Sequence, residues 1–208
     1  MNIAVFASGR GSNFQAILNA IQHRLLPARV CAVISNNSSA GALDFARAQR
    51  IPAIHLSQRQ FSTEEAYVEK LLRTLKDHNT ELIALADYMK KLPPRVVQQF
   101  RNRILNIHPA LLPAHGGPGM YGMHVHEAVI ASGETISGAT VHLVDEEYDR
   151  GPIVLQKTVS VKPGDTPEQL AERVLAVEHE IYPLALKAFA EDRVRIEGKT
   201  VHILESRP

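Results

Sequence analysis

Short runs of consecutive apolar residues alternate with longer stretches of helical periodicity through the first half of the chain. The run at 3–7 predicts a strand buried on both faces; after a glycine turn, Phe14, Ile17, Leu18 and Ile21 recur on one face of a helix. Residues 30–34 predict a second strand, 40–50 a second helix and 53–56 a short third strand. Over 63–78, Ala66, Leu71, Leu72 and Leu75 mark another helical stripe, and the apolar runs at 82–86 and 104–107 close the series as strands. Continuous apolar strands separated by helices indicate a parallel sheet covered on both faces.

The second half has a different rhythm. Residues 135–144 and 153–161 are long, β-branched and joined by an acidic loop, which predicts an antiparallel extension of the sheet. Thr166-Pro167-Glu168-Gln169 then opens a last helix: threonine caps, proline suits the first helical position, and glutamine three residues on completes a capping box. Leu170, Val174, Val177, Ile181 and Leu184 form its expected buried stripe, with Pro183 bending or locally opening it. No repeat or linker interrupts the pattern. The expected fold is therefore α/β: one domain over 1–208, a mostly parallel twisted sheet with helices on both faces and an antiparallel extension.

Composition narrows the function more than the fold. Apolar residues make up 45% and charged residues 22%, with a net charge of +1. That balance is ordinary for a globular chain and offers no strong field to nucleic acid or a membrane surface, so neither is an expected partner. A single cysteine, Cys31, excludes an intramolecular disulfide framework and reads as core packing in a reducing compartment. The N-terminus lacks the basic region of a signal peptide, and no run approaches the ~18 apolar residues of a membrane span. A cytoplasmic location is expected.

Ser8-Gly9-Arg10-Gly11-Ser12-Asn13 lies between the first strand and its helix. Glycines let a ligand approach the backbone, and a helix N-terminus offers free N–H groups to an anion. Phe14 stands where a dinucleotide fingerprint needs glycine, and no Gly-Lys-Ser/Thr follows. Two readings remain: a single-phosphate site with Ser12 and Asn13 as extra donors, or a tight turn in which Ser12 is an N-cap.

The most informative tract is Leu105-Asn106-Ile107-His108-Pro109-Ala110-Leu111-Leu112-Pro113. Residues 106 and 108 are two apart on a strand, so an amide and an imidazole point the same way at its carboxyl end. Asparagine can donate to a developing oxyanion, and histidine can stabilise it or move a proton, so the pair suits attack on a carbonyl. The alternative is a satisfied polar strand end. In the acidic run Asp145-Glu146-Glu147-Tyr148-Asp149, one carboxylate folding back on His108 would raise its pKa; spacing does not select which. His124-Val125-His126, on a segment read as irregular, is the best local histidine pair, with His115 and His142 elsewhere; without an HExxH or paired-cysteine pattern, no metal is expected.

The glycine turn, the 105–113 tract and residues 145–152, in this order over nearly the whole chain, resemble the phosphoribosylglycinamide formyltransferase family, the folate-dependent transformylases of purine synthesis. The middle motif is shared by folate formyl-transfer enzymes, while the glycine turn and compact length point to the glycinamide ribonucleotide branch. The resemblance implies 10-formyltetrahydrofolate as co-substrate, and Asn106, His108 and Asp149 as catalytic residues, Asp149 keeping His108 cationic. It implies Gly11, Ser12 and Asn13 at the substrate phosphate and Glu178 at the ribose. Met89, Lys90, Lys91 and Leu92, with Asn106 and the backbone of Asp145, Glu146, Glu147, Tyr148 and Asp149, match the folate pocket. A phosphate-binding half of about 1–100 and a folate and catalytic half of about 101–208 follow.

The chain departs from the family pattern in places. A glycine-aromatic pair appears as Asp87-Tyr88, a basic folate-tail contact as Glu64, and a substrate-site glutamine as Leu175. The stretch 115–126 is longer than usual and glycine-rich, either a mobile lid or a rigid surface excursion. The expected reaction is direct attack of the substrate amine on the formyl carbon, because no serine or cysteine beside a base suggests a nucleophile. The rivals are a formyltetrahydrofolate hydrolase, whose relatives carry a preceding regulatory domain for which this chain leaves no room, and a non-catalytic folate or nucleotide binder. Methionyl-tRNA formyltransferases share the middle motif but add a nucleic-acid-binding domain. The expected partners are small molecules, with monomer and homodimer both open.

Overall fold

A computed structural model describes residues 1–205, so the last three residues of the expected 1–208 domain lie outside it. The chain groups into two compact units, Met1–Leu105 and Asn106–Pro208. In the first, β1 (Asn2–Phe6) pairs in parallel with β2 (Arg29–Ser35) on one side and β4 (Leu82–Leu85) on the other, and β2 pairs in parallel with β3 (Ala53–His55). Helices α1 (Ser12–Gln22), α2 (Gly41–Ala48) and α3 (Glu64–Asp77) make the crossovers. With right-handed connections, the order β3-β2-β1-β4 puts α1 and α2 on one face and α3 on the other. Cover on both faces is why every residue of the run 3–7 is apolar and fully buried. It also leaves a switch point at the carboxyl ends of β1 and β4, where open sheets bind ligands.

Local chemistry fits these elements. Phe14 and Ile17 of α1 are fully buried, and Phe14 meets Phe45 of α2 edge-on at 5.4 Å. Truncating such a phenylalanine to alanine costs about 3–5 kcal/mol. Thr63 caps α3, its hydroxyl accepting from Ala66 N–H at 3.2 Å, with Glu64 and Glu65 favourably placed in the first turn. Cys31 is buried beside Thr80 Oγ1 at 3.6 Å, and burial pushes its thiol pKa up, as suits a packing residue.

The strand β5 (Ile104–His108) carries the chain from the first unit into the second. In the second unit β6 (Ile136–Leu143) and β7 (Ile153–Ser160) are antiparallel, as their β-branched residues and the acidic loop between them predict. Helix α6 (Pro167–Ala190) packs on both, and its capping box is formed by Thr166 and Gln169. Its buried stripe runs through Leu170, Val174, Val177 and Ile181 and then continues at Ala185, while Leu184 is 50% exposed. The expected Leu184 is wrong because at 3.6 residues per turn the stripe takes the fourth residue after Ile181 rather than the third. Pro183 withdraws one N–H from the ladder, yet α6 is unbroken.

Other elements escaped the pattern. A 3-10 turn at Gln58–Gln60, helix α4 (Pro94–Gln99), and a terminal hairpin of β8 (Val194–Glu197) and β9 (Thr200–Ile203) carry weak apolar periodicity. The supposed loop 115–126 ends early, because α5 (Met123–Ser132) begins inside it and carries His124 and His126.

Candidate active site

Asn106 and His108 stand at the end of β5, one residue apart on the same side, with His108 3% exposed. The turn after β6 brings Asp149 back to them. It adopts φ 54, a left-handed conformation that aspartate tolerates better than most residues. Asp149 Oδ2 lies 3.8 Å from His108 Nδ1, and Asp149 Oδ1 lies 3.4 Å from His142 Nε2. Asn106 Nδ2 is 3.0 Å from the same His142 Nε2.

Hydrogen bonds to the protein frame set the tautomers. His142 Nδ1 donates to the Leu143 carbonyl at 2.9 Å, which leaves Nε2 of the neutral ring as an acceptor for one Asn106 N–H. The amide is thereby oriented, and its second N–H is available to an incoming oxygen. A protonated His142 would instead donate Nε2–H to Asp149. His108 Nε2 donates to the His115 carbonyl at 2.8 Å, so the lone pair of the neutral ring is on Nδ1 and faces the Asp149 carboxylate.

Burial lowers the His108 pKa below the ordinary imidazole value, against the opposing pull of Asp149 and the His115 carbonyl. The expected upward pull of a carboxylate is present and comes from Asp149, but desolvation outweighs it, so the net shift runs against the expectation that Asp149 keeps His108 cationic. For Asp149, burial pushes the carboxyl up, but the His142 contact, the His108 ring and the Gly117 N–H at 2.8 Å together hold it below the usual carboxylate range. His126 on α5 is buried too, and burial followed by the charge of His108 pushes it down to about 4.

The backbone after Pro109 is fixed by one threonine. Thr140 Oγ1 donates to the Ala110 carbonyl at 2.6 Å and accepts from Leu112 N–H at 3.1 Å, and Gln156 Nε2 reaches both Thr140 Oγ1 and the Leu112 carbonyl. Gly116 follows where a side chain has no room: a Cβ there would lie 2.5 Å from Leu112 Cδ2 and 3.2 Å from Asp149 Cβ.

In the first unit the turn after β1 is built from backbone. Gly11 occupies the cap position of α1 at φ 80, and a Cβ on it would sit 2.7 Å from Ala42 Cβ. Ser12 is accordingly the first helical residue; the alternative reading of it as an N-cap fails because no side chain caps this helix. The N–H groups of 12–14 have no carbonyl four residues back within the helix, whereas Gln15 N–H bonds Gly11 O at 2.9 Å. Asn13 is fully buried, its Nδ2 3.5 Å from Asp87 Oδ2. Asp87 stands at φ 61, which explains why glycine suits that position. Ser8 Oγ accepts from Met89 N–H at 2.8 Å and donates to Asn36 Oδ1 at 2.5 Å, tying the start of 89–92 to the turn.

The remaining expected residues divide by exposure. Met89, Lys90 and Lys91 are exposed and Leu92 is buried, all in the first unit. In the second, Glu146, Glu147 and Tyr148 are exposed, Asp145 is half-buried and accepts from Glu147 N–H at 2.9 Å, and Glu178 is buried on α6. His142 is the residue that pattern reading missed. Its strand also carries Ser137 and Thr140, so a polar residue there singled out nothing. Among the described residues no group of three or more His, Cys, Asp or Glu could hold a metal ion.

The 106–108–142–149 cluster can present two N–H donors to one oxygen and exchange a proton with it. That is the equipment for stabilising a tetrahedral oxyanion. The formyl transferase family model matches residues 1–186. The chain is 41% identical over 205 residues to the chloroplastic phosphoribosylglycinamide formyltransferase of Vigna unguiculata, spanning 99% of this chain and about two thirds (66%) of that protein. It is 37% identical to the Escherichia coli (strain K12) phosphoribosylglycinamide formyltransferase over 94% of this chain and 90% of that one. Glycinamide ribonucleotide transformylase 1 from Symbiobacterium toebii superposes with a TM-score of 0.92 at 40% identity, covering 99% and 94% of the two chains. A formyltetrahydrofolate deformylase from Pseudomonas syringae pv. tomato gives 0.88 at 25% identity, covering 98% of this chain and 66% of its own.

Proposed function

The chain belongs to the formyl transferase family, and from that membership we propose that it transfers a formyl group from 10-formyltetrahydrofolate to the amine of 5'-phosphoribosylglycinamide in purine biosynthesis. The observation that carries the mechanism is the meeting of Asn106, His108 and Asp149 around one point, with His142 fixing the Asn106 amide.

In this reading the amine attacks the formyl carbon directly. The second Asn106 N–H and the His108 Nε2–H receive the charge that develops on the formyl oxygen. His108 must first release the His115 carbonyl, since its Nδ1 faces Asp149. Collapse of the intermediate breaks the formyl C–N10 bond and releases tetrahydrofolate, with the amine proton ending on the departing N10 by way of His108, whose imidazolium form Asp149 stabilises. No covalent enzyme intermediate is involved: the cluster holds no thiol, and the nearby Thr140 hydroxyl already donates to Ala110.

Gly11, Ser12 and Asn13 hold the substrate phosphate through the α1 N-terminus, and Glu178 contacts the ribose. Residues 89–92, with Asn106 and the backbone of 145–149, receive the folate. The whole of 1–208 acts as one formyltransferase domain on small molecules in the cytoplasm. The family match across both units supports the first part, and the lone buried Cys31 supports a reducing compartment. No helix among the described residues is long and apolar enough to cross a membrane.

The likeness to a deformylase keeps hydrolysis as the rival. Purified protein supplied with 10-formyltetrahydrofolate and glycinamide ribonucleotide should form formylated ribonucleotide, with formate a minor product. Formate release indifferent to the ribonucleotide would reject transfer in favour of hydrolysis.

A further inference from the structure

The backbone of 115–117 closes over both members of the His108–Asp149 pair. The His115 carbonyl takes the His108 Nε2 hydrogen at 2.8 Å, and Gly117 N–H donates to Asp149 Oδ2 at 2.8 Å. A formyl group presents the same kind of acceptor, a carbonyl oxygen, so the two compete for one N–H. His108 has no other donor to offer, because Nδ1 faces Asp149.

His115 holds its position through its side chain. His115 Nε2 lies 2.8 Å from Glu134 Oε1, and the two side chains are 15% and 43% exposed. Glu134 follows Gly133, the left-handed residue that ends α5, so it stands on a defined helix end. His115 itself is left-handed at φ 51, a conformation that a non-glycine residue keeps only when neighbours hold it. Beyond it, Gly117 and Gly119 at φ 98 and 87 sit where a side chain would be strained, and space around both is open.

We propose that Glu134 and His115 form a latch that keeps the His115 carbonyl on His108 Nε2 until the formyl oxygen of the folate displaces it. Glu134 is a positioning residue: it touches no reacting atom and acts through His115. The proposal rests on the formyl-transfer reading of this site. A hydrogen bond of this exposure shifts a two-state equilibrium by about two- to tenfold, and ligand affinity scales with the fraction of protein already released.

The test compares E134A and H115A, which break the contact, with E134Q, which keeps an acceptor oxygen. The ligands are 10-formyl-5,8-dideazafolate and 5,8-dideazafolate without the formyl group. E134A and H115A should bind the formylated compound about two- to tenfold more tightly and the other compound as wild type does, with E134Q unchanged for both. In parallel, the His108 Nε2–H proton should be slow to exchange by NMR in wild type and E134Q, and exposed in E134A and H115A. Unchanged or weaker binding of the formylated compound in both broken variants overturns the latch, and so does a protected Nε2–H in them. Thermal unfolding identifies a variant that fails to fold, and the other then decides. Failure of the formyl-transfer reading would appear separately, as absent transfer by wild type, while the NMR comparison still judges the contact.

Discussion

At the end of β1 the useful groups are backbone N–H donors, set by one glycine at φ 80 packed against Ala42. At the end of β5 they are side chains, Asn106 and His108, whose orientation depends on His142, Asp149 and the carbonyls of His115 and Leu143. The first arrangement needs a local conformation and one close neighbour, Ala42. The second needs residues from β5, β6 and two loops to arrive together, and its electrostatics emerge only on folding. A backbone site suits an anion held the same way throughout a reaction; a side-chain site suits a charge that appears and disappears.

Gly11→Ala is the strongest way to break the first half of that comparison. A Cβ at φ 80 and 2.7 Å from Ala42 Cβ should cost about 1–3 kcal/mol of stability. It should also raise KM for glycinamide ribonucleotide by roughly tenfold, a loss of about 1.4 kcal/mol. The unphosphorylated riboside should show no such rise; equal effects on the two acceptors would mean that the turn does not hold the phosphate.

Asp149→Asn sharpens the second half. Asp149 pulls the His108 pKa up against burial, so its neutralisation should move the His108 titration to still lower pH. The pH profile of kcat/KM, read beside an NMR titration of the ring, checks this. A profile that stays in place would dissociate the two residues.

His126→Gln has the smallest expected effect and reads out as stability. Its pKa falls from an ordinary 6.5 to about 4 in the fold, so the unfolded chain takes up the proton first as pH drops. The His126 contribution is thus complete above about pH 6.5 and is lost as pH falls towards 4. Urea midpoints at pH 7 and pH 5 should lie closer together in the variant; an identical separation would show that His126 is not the titrating group.

The strands of the first unit and the glycine turn were legible because continuous apolar runs and glycine punctuation are local signals. Asn106 and His108 could be placed on one side of β5 from spacing alone. Asp149 could be singled out only by family resemblance, since a loop of four carboxylates has no internal sign of which one turns inwards. Desolvation of His108 was invisible for a related reason: it is the sum of what packs around the ring, and no sequence window contains it. Helix α5 was hidden because glycines precede it and Val125, His126 and Val129 are indifferent helix formers. His142 looked like one histidine among ten, and only the fold puts its Nε2 beside Asn106.

The central claim is that the Asn106 amide stabilises the oxyanion formed during direct formyl transfer. Its most direct test is single turnover of Asn106→Ala with substrate dissociation constants measured separately. The rate of transfer should fall by about 100- to 1000-fold with little change in either dissociation constant. A near-wild-type rate, or a loss carried wholly by weaker binding, would contradict it.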